Sequence, residues 1–231
     1  MRLEQWMRTI GADAIDRWKR GGGYDVLEGL IARDETIDEV MRRTPTTAID
    51  TAAVVASILI EAYEKGDDDG ATTLLLSEAN ASAASQSLER FAETYTRYLD
   101  GGGEPIRVRT SFDPISFQAS DPRFTRTNAE RIDPENATLV LLARGALLPG
   151  YELASYLELP AQRIVPILYS RHKLEQNTPH ITAFAHERLT RAERIVLFDE
   201  DVQSGATLRS AASALSAYGV PIEAFSNVDT R

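Results

Sequence analysis

Continuous apolar runs in the second half of the chain constrain its fold more than any other sequence feature. They lie at residues 138–143 (TLVLLA), 163–169 (RIVPILY) and 194–198 (RIVLF), and a fourth strand-like run follows at 220–226. Runs that are apolar throughout are typical of parallel strands covered on both faces. Helical patterns separate them, and strands that alternate with helices form βαβ units. The sequence therefore predicts an α/β fold with a parallel sheet.

The segments around these runs carry further predictions. Helices are expected at 148–157 and 206–218, and residues 181–185 are expected to form a short extra strand. Pro166 cannot donate a hydrogen bond to a neighbouring strand, so its run is expected at a sheet edge or at a bulge.

The segment before the first run is less regular. Residues 106–110 alternate like a half-buried strand. Residues 113–126 are rich in proline, aspartate and serine, and they are expected to form a loop anchored by phenylalanines.

The first hundred residues follow a helical pattern, with apolar residues at steps of three and four. Thr44 and Pro45 suit the start of a helix that runs to about Lys65, and a further helical region extends to about Leu99. Three glycines at 101–103 mark a boundary. We expect a helical N-terminal domain at 1–100 and an α/β domain at 104–231. The aromatic residues of the helical half are expected to form its core.

Composition limits the classes of partner and the compartment. The formal net charge is −10, which argues against sequence-independent binding to nucleic acid or to an anionic membrane surface. Cysteine is absent, which excludes disulfides and thiolate metal sites. The first residues lack the apolar run of a signal peptide, and no apolar stretch is long enough to span a bilayer. We therefore expect a cytoplasmic protein.

The most informative segment follows the third apolar run. Asp199 and Glu200 follow the strand directly, a short turn with Ser204, Gly205 and Thr207 comes next, and a helix begins. A helix N-terminus offers N–H groups and positive dipole charge to a phosphate, and glycine lets the backbone approach closely. Carboxylates can accept hydrogen bonds from ribose hydroxyls. The pattern suits a ribose 5-phosphate, whereas a plain helix cap beside a solvated acidic turn is the bland alternative.

This segment resembles the phosphoribosyl-pyrophosphate binding motif of type I phosphoribosyltransferases. That motif is an apolar strand, two acids, a short spacer, and then Thr or Ser, Gly, any residue, Thr. A second segment, Arg144-Gly145-Ala146 after the first strand, resembles the family's pyrophosphate loop. A loop that closes over the site in the family would leave near Arg171 and Lys173. His172 and His180 in the same region are weaker candidates for acid–base groups.

The resemblance implies a function and a set of site residues. It implies transfer of a phosphoribosyl group to a nitrogenous base with release of pyrophosphate, with Mg²⁺ held mainly by substrate oxygens. Catalytic roles are expected for Asp199, Glu200, Arg144 and Lys173. Substrate-binding roles are expected for Gln203, Ser204, Gly205, Ala206, Thr207, Gly145, Ala146 and Arg171.

Two other interpretations stay open. The nucleobase-selecting hood of the family is not recognisable, so the chain could sense phosphoribosyl pyrophosphate or a nucleoside monophosphate without turnover. In that case the helical half could contact a protein partner or a second copy of the chain. The weakest alternative is a purely structural α/β domain.

Overall fold

The computed structural model describes residues 35–42, 48–65, 70–85, 87–108, 119–169, 178–202 and 204–229. Its helices are α1 (Ile37–Met41), α2 (Ala48–Lys65), α3 (Gly70–Ser85), α4 (Glu89–Asp100), α5 (Pro122–Ala129), α6 (Leu147–Tyr156), α7 (Ala183–Leu189) and α8 (Ala206–Leu215). Its strands are β1 (Ala137–Ala143), β2 (Ile164–Leu168), β3 (Arg194–Val202) and β4 (Ile222–Asp229). Single 3₁₀ turns precede β2 and follow α8. None of these helices is both long enough and apolar enough to cross a membrane.

The four strands form one parallel sheet in the order β2-β1-β3-β4. The predicted α/β class and parallel sheet are therefore confirmed, as is the presence of helices in the described residues before the sheet. Every residue of β1 and β2 is buried, as the continuous apolar runs require. Strand β2 lies at an edge, and Pro166 pairs with Leu141 there, so the prediction from proline is confirmed as well.

Four sequence-based predictions need correction. Residues 181–185 do not form a strand, because Thr182 caps helix α7 by accepting a hydrogen bond from the Ala185 N–H at 3.3 Å. The expected loop at 113–126 contains the first turns of α5, with Asp121 as its N-cap. Phe124, an expected anchor of that loop, is 38% exposed.

The other two corrections concern strands. In the described part of 106–110 only Arg107 makes a bridge, to Thr36, so this stretch does not form a full strand there. Strand β3 does not end at Phe198 but continues to Val202. The predictions for residues 1–34, for Phe112 and Phe117, and for the loop at 171–177 lie outside the described residues.

Helices α2 and α3 pack directly against the α/β part of the chain. Helix α2 contacts β2 and α6, while α3 contacts β2 and α7. Their apolar residues belong to the same continuous hydrophobic core as the strands. The proposed boundary at 101–103 stays a prediction, but the helices before it cover the β2 edge of the sheet.

A buried hydrogen-bond network joins α3 to this edge. The Asn80 side chain is fully buried, and its amide donates to the carbonyls of Ala161 (2.9 Å) and Ile164 (3.1 Å). The Tyr151 hydroxyl, on α6, donates to Asn80 Oδ1 at 2.9 Å. Burial raises the pKa of Tyr151, which keeps the hydroxyl a neutral donor. One side chain therefore connects a helix, the start of β2 and a second helix.

Replacing Asn80 with alanine is expected to lower the free energy of unfolding by about 2–4 kcal/mol, because it leaves two carbonyls and one hydroxyl buried without these partners. Urea denaturation at equilibrium measures the loss. Ser85→Ala, at the exposed end of the same helix, is the matched control and should change the value by less than about 0.5 kcal/mol. Equal effects of the two substitutions would show that the network contributes nothing specific.

Candidate functional site

Strand order identifies one place in the sheet where successive connections diverge. The chain passes from β1 outward to β2, and then crosses back to β3 on the other side of β1. The loops that leave the carboxyl ends of β1 and β3 therefore run to opposite faces of the sheet. A crevice forms between such loops, and in open α/β sheets this crevice is where ligands bind. The two segments singled out in the sequence lie in those two loops: Arg144-Gly145-Ala146 follows β1, and Ser204-Gly205 follows β3.

The two acids lie inside β3 and not in a solvated turn. Pairing between β1 and β3 ends at Leu141 and Phe198, whereas β3 continues alongside β4, with Asp199 opposite Ser226. Asp199 and Glu200 are each only 8% exposed. This burial argues against the interpretation of the acids as ordinary surface charges.

Glu200 and Gly145 bring the two motifs into contact. A Cβ atom built on Gly145 would overlap the carboxylate of Glu200, so only glycine fits there with Glu200 in its present position. The acid of the β3 motif thus lies directly against the backbone of the β1 loop. Arg144, beside it, is half-buried, and the peptide bond between Ala143 and Arg144 is cis. Ala146 is fully buried.

Burial and a neighbouring acid control the charge of Asp199. Burial raises the pKa of this carboxyl well above its ordinary value, and the negative charge of Glu200 raises it further. A hydrogen bond between the Asp199 and Glu200 side chains acts in the same direction, because it needs a proton. The pair therefore holds a proton in conditions under which two exposed acids would both be ionised.

The turn after β3 presents the start of helix α8. Gly205 is the N-cap residue, with φ 71° and ψ 5°, a left-handed conformation that glycine adopts without steric cost. Ser204 is exposed, and its hydroxyl accepts a hydrogen bond from the Ala206 N–H at 3.3 Å. Thr207 is 8% exposed. The first N–H groups of a helix lack intrahelical acceptors, so this turn can receive an anion.

Polar side chains that sequence reasoning missed lie next to β4. Asn128, on α5, donates to the Ser226 carbonyl at 3.0 Å and to Asn227 Oδ1 at 2.9 Å. Asn227 donates to the Ala119 carbonyl at 2.7 Å and to Thr125 Oγ1 at 3.0 Å. Ser226 is the register partner of Asp199, so these amides attach the segment around α5 beside the acids. The only sequence signal was Asp121-Pro122, which marks a helix start.

The remaining candidates divide between described and undescribed residues. Arg171, His172, Lys173 and Gln203 lie outside the described residues. His180 lies at the end of β2, where its backbone pairs with Leu168, and its ring packs edge-on against Tyr63 at 5.3 Å between centroids. This places His180 between the sheet edge and helix α2.

A metal cage is not formed by the part of the protein that the structure describes. No three acidic or histidine side chains there are grouped so as to hold an ion. Mg²⁺ prefers to keep several waters and to bind phosphate oxygens with few protein ligands.

The sequence was also compared with known proteins. No protein-family model matches it, and no curated protein matches it at a significant level.

Proposed function

We propose that this chain is a phosphoribosyltransferase-like protein, with an α/β domain of the type I phosphoribosyltransferase kind. It would bind phosphoribosyl pyrophosphate or a nucleoside monophosphate and transfer the phosphoribosyl group to a nitrogenous base. The observation that carries the proposal is the contact of Gly145 with the Glu200 carboxylate. It joins two motifs, separate in sequence, at the crevice where a ligand is expected.

Each part of the ligand has a counterpart at this crevice. The 5-phosphate would bind at the N-terminus of α8, where Gly205, Ala206 and Thr207 present backbone N–H groups. Side chains of Gln203 and Ser204 would complete that contact. The ribose hydroxyls would face the pair of acids, and a pair that retains one proton can both donate and accept hydrogen bonds.

The pyrophosphate would lie over the β1 loop. The backbone of Gly145 and Ala146 would contact the pyrophosphate. The Arg144 guanidinium can make charge-assisted hydrogen bonds to phosphate oxygens. Bound Mg²⁺ would neutralise part of the negative charge of the pyrophosphate. Arg171 and Lys173 are proposed to reach the same group from the loop after β2.

The reaction would be a displacement at C1 of the ribose. A nitrogen lone pair of the base forms the new bond, and the bond from C1 to the pyrophosphate oxygen breaks with both electrons leaving on pyrophosphate. The protein contributes by holding the reactants in line and by stabilising the charge that develops on the leaving group. The side chains of Arg144 and Lys173 would perform the second task.

Binding and turnover are tested separately. Calorimetry with phosphoribosyl pyrophosphate and Mg²⁺ measures binding, and release of pyrophosphate with a panel of free bases measures transfer. Binding with release establishes an enzyme. Binding without release for any base would support the sensing module instead, and absence of binding to phosphoribosyl pyrophosphate and to nucleoside monophosphates would refute both.

Gly205→Ala is expected to weaken phosphoribosyl pyrophosphate binding at least about tenfold, because a side chain at this left-handed residue strains and displaces the phosphate loop. Gly219 offers a matched control, since it has the same φ of 71° at the other end of the same helix region. Gly219→Ala carries a similar backbone cost of about 1–2 kcal/mol and should leave affinity unchanged. If both variants bind like the wild type, the phosphate does not lie at Gly205.

A further inference from the structure

A cleft of about 610 Å³ opens at the amino ends of the strands, the opposite end of the sheet from the site proposed above. Its volume lies within the range of roughly 300–1,000 Å³ that is common for small-molecule sites. Thr138 at the start of β1 and Arg163 just before β2 line it. The rest of the lining comes mainly from the first half of α3, from α7 and from the segment that leads from α7 to β3.

Arg188 lines this cleft, in an environment that is unusual for a cation. Its side chain is half-buried, and its guanidinium lies 3.7 Å from the centre of the Phe184 ring. Its hydrogen bonds are long, at 3.4 Å to the Phe184 carbonyl and 3.4 Å to Ser77 Oγ. Burial lowers the pKa of Arg188, and the negative charge of Glu187 opposes this shift.

The neighbouring carboxylate of Glu187 acts on Arg188 without forming an ion pair with it. Glu187 pairs with Arg191 at 3.0 Å, and both side chains are mostly exposed. Among the side chains that the structure describes, no carboxylate forms an ion pair with Arg188. The lining holds three arginines (163, 188 and 191) and two glutamates (187 and 193), so this cleft carries net positive charge in an acidic protein.

Apolar surface lies beside the cation. Leu74, on α3, is 50% exposed and lines the same cleft, whereas Phe184, also part of the lining, is buried. A partly desolvated cation next to exposed apolar surface suits a ligand with an acidic group and an apolar portion. The polar groups of Ser77 and Thr138 are available to orient such a ligand.

We propose that this cleft is a second binding site, for a small organic anion whose carboxylate or phosphate group pairs with Arg188 and whose apolar part contacts Leu74. This site is independent of the phosphoribosyl site, because it lies at the other end of the sheet and shares none of its residues. It holds whether or not the chain is a transferase.

Benzoate and phenyl phosphate are suitable probes, because they join the same apolar ring to a carboxylate or to a phosphate. Calorimetric titration of the whole chain with each probe separates the two acidic groups. Arg188→Gln should weaken binding of the preferred probe at least about tenfold, through loss of charge-assisted hydrogen bonds. Leu74→Glu should weaken it as well, because it places a negative charge at the mouth of the cleft, on an exposed position that does not disturb folding.

Arg42→Gln removes an exposed arginine that is outside the cleft, and it should leave the affinity unchanged. Thermal denaturation checks that each variant is folded, and Leu74→Glu decides the matter if Arg188→Gln does not fold. The proposal is overturned if neither probe binds. It is also overturned if a folded Arg188→Gln variant binds the probes as tightly as the wild type, or if Leu74→Glu has no effect.

Discussion

Gly145→Ala is expected to reduce the affinity for phosphoribosyl pyrophosphate at least about a hundredfold. The added Cβ would occupy the position of the Glu200 carboxylate, so the loop and the acid cannot both keep their places. The pyrophosphate would lose its backbone donors and the ribose would lose one acid. Calorimetry with Mg²⁺ present measures the change.

Two controls separate this effect from general damage. Gly70→Ala adds the same methyl group where no atom lies within 4 Å, and it should leave binding unchanged. Glu200→Ala removes the group with which the new Cβ collides. Adding Gly145→Ala to that background should cost little further stability, whereas in the wild type it should cost more. If the loss of stability in the double variant equals the sum of the losses in the two single variants, the contact between Gly145 and Glu200 is contradicted.

Asp199→Asn is expected to weaken binding at least about tenfold while making the free protein more stable at neutral pH. The pKa of this carboxyl is raised in the folded protein by burial and by Glu200. A raised pKa means that the folded state binds the proton more tightly than the unfolded state. Ionisation therefore destabilises the fold, and the loss grows as pH rises from the unfolded pKa through the folded one. Asparagine cannot ionise, so the variant avoids this loss.

Urea denaturation across pH measures the stability part of this prediction. The wild type should lose stability relative to Asp199→Asn as the pH rises above about 4, the ordinary pKa of an aspartate. Asp100→Asn, at an exposed aspartate, is the matched control and should show no such difference. A variant that binds normally would remove Asp199 from the site, and a variant with the pH profile of the wild type would show that the acid is not strained by burial.

The sequence predicted the centre of the sheet well because strands β1 and β2 are buried on both faces. The runs at 138–143 and 163–169 contain no position that must face water, so no helix of the surface type could accommodate them. Pro166, which cannot donate a backbone hydrogen bond, led to the more detailed prediction that β2 lies at an edge. The extension of β3 past Phe198 was missed because Asp199 and Glu200 resemble a turn when they are read locally. Their burial depends on β4 and on the β1 loop, which are distant in sequence.

Short segments were predicted less well, for a related reason. The segment 181–185 contains residue types that suit a strand. However, Phe184, Ala185 and Leu189 have the spacing of a helix face, and Thr182 caps helix α7. Seven residues are too few for periodicity to distinguish the two. The cleft around Arg188 had no sequence signal at all, because its lining comes from α3, α7 and the starts of two strands.

The two proposed sites divide the sheet by its polarity. Loops at the carboxyl ends of β1 and β3 hold the acids and the phosphate turn, and the amino ends of β1 and β2 lie in the cleft with Arg188. An anion has a candidate site at each end, the N-terminus of α8 at one and Arg188 at the other. This makes the position of a bound ligand more informative than its affinity.

A crystal structure of the chain soaked with phosphoribosyl pyrophosphate and Mg²⁺ is the most direct measurement. We expect the 5-phosphate at the start of α8 against Gly205, the pyrophosphate over Gly145, and the ribose beside Asp199 and Glu200. Density for the compound in the cleft at Arg188, with the crevice between β1 and β3 empty, would contradict the phosphoribosyl site.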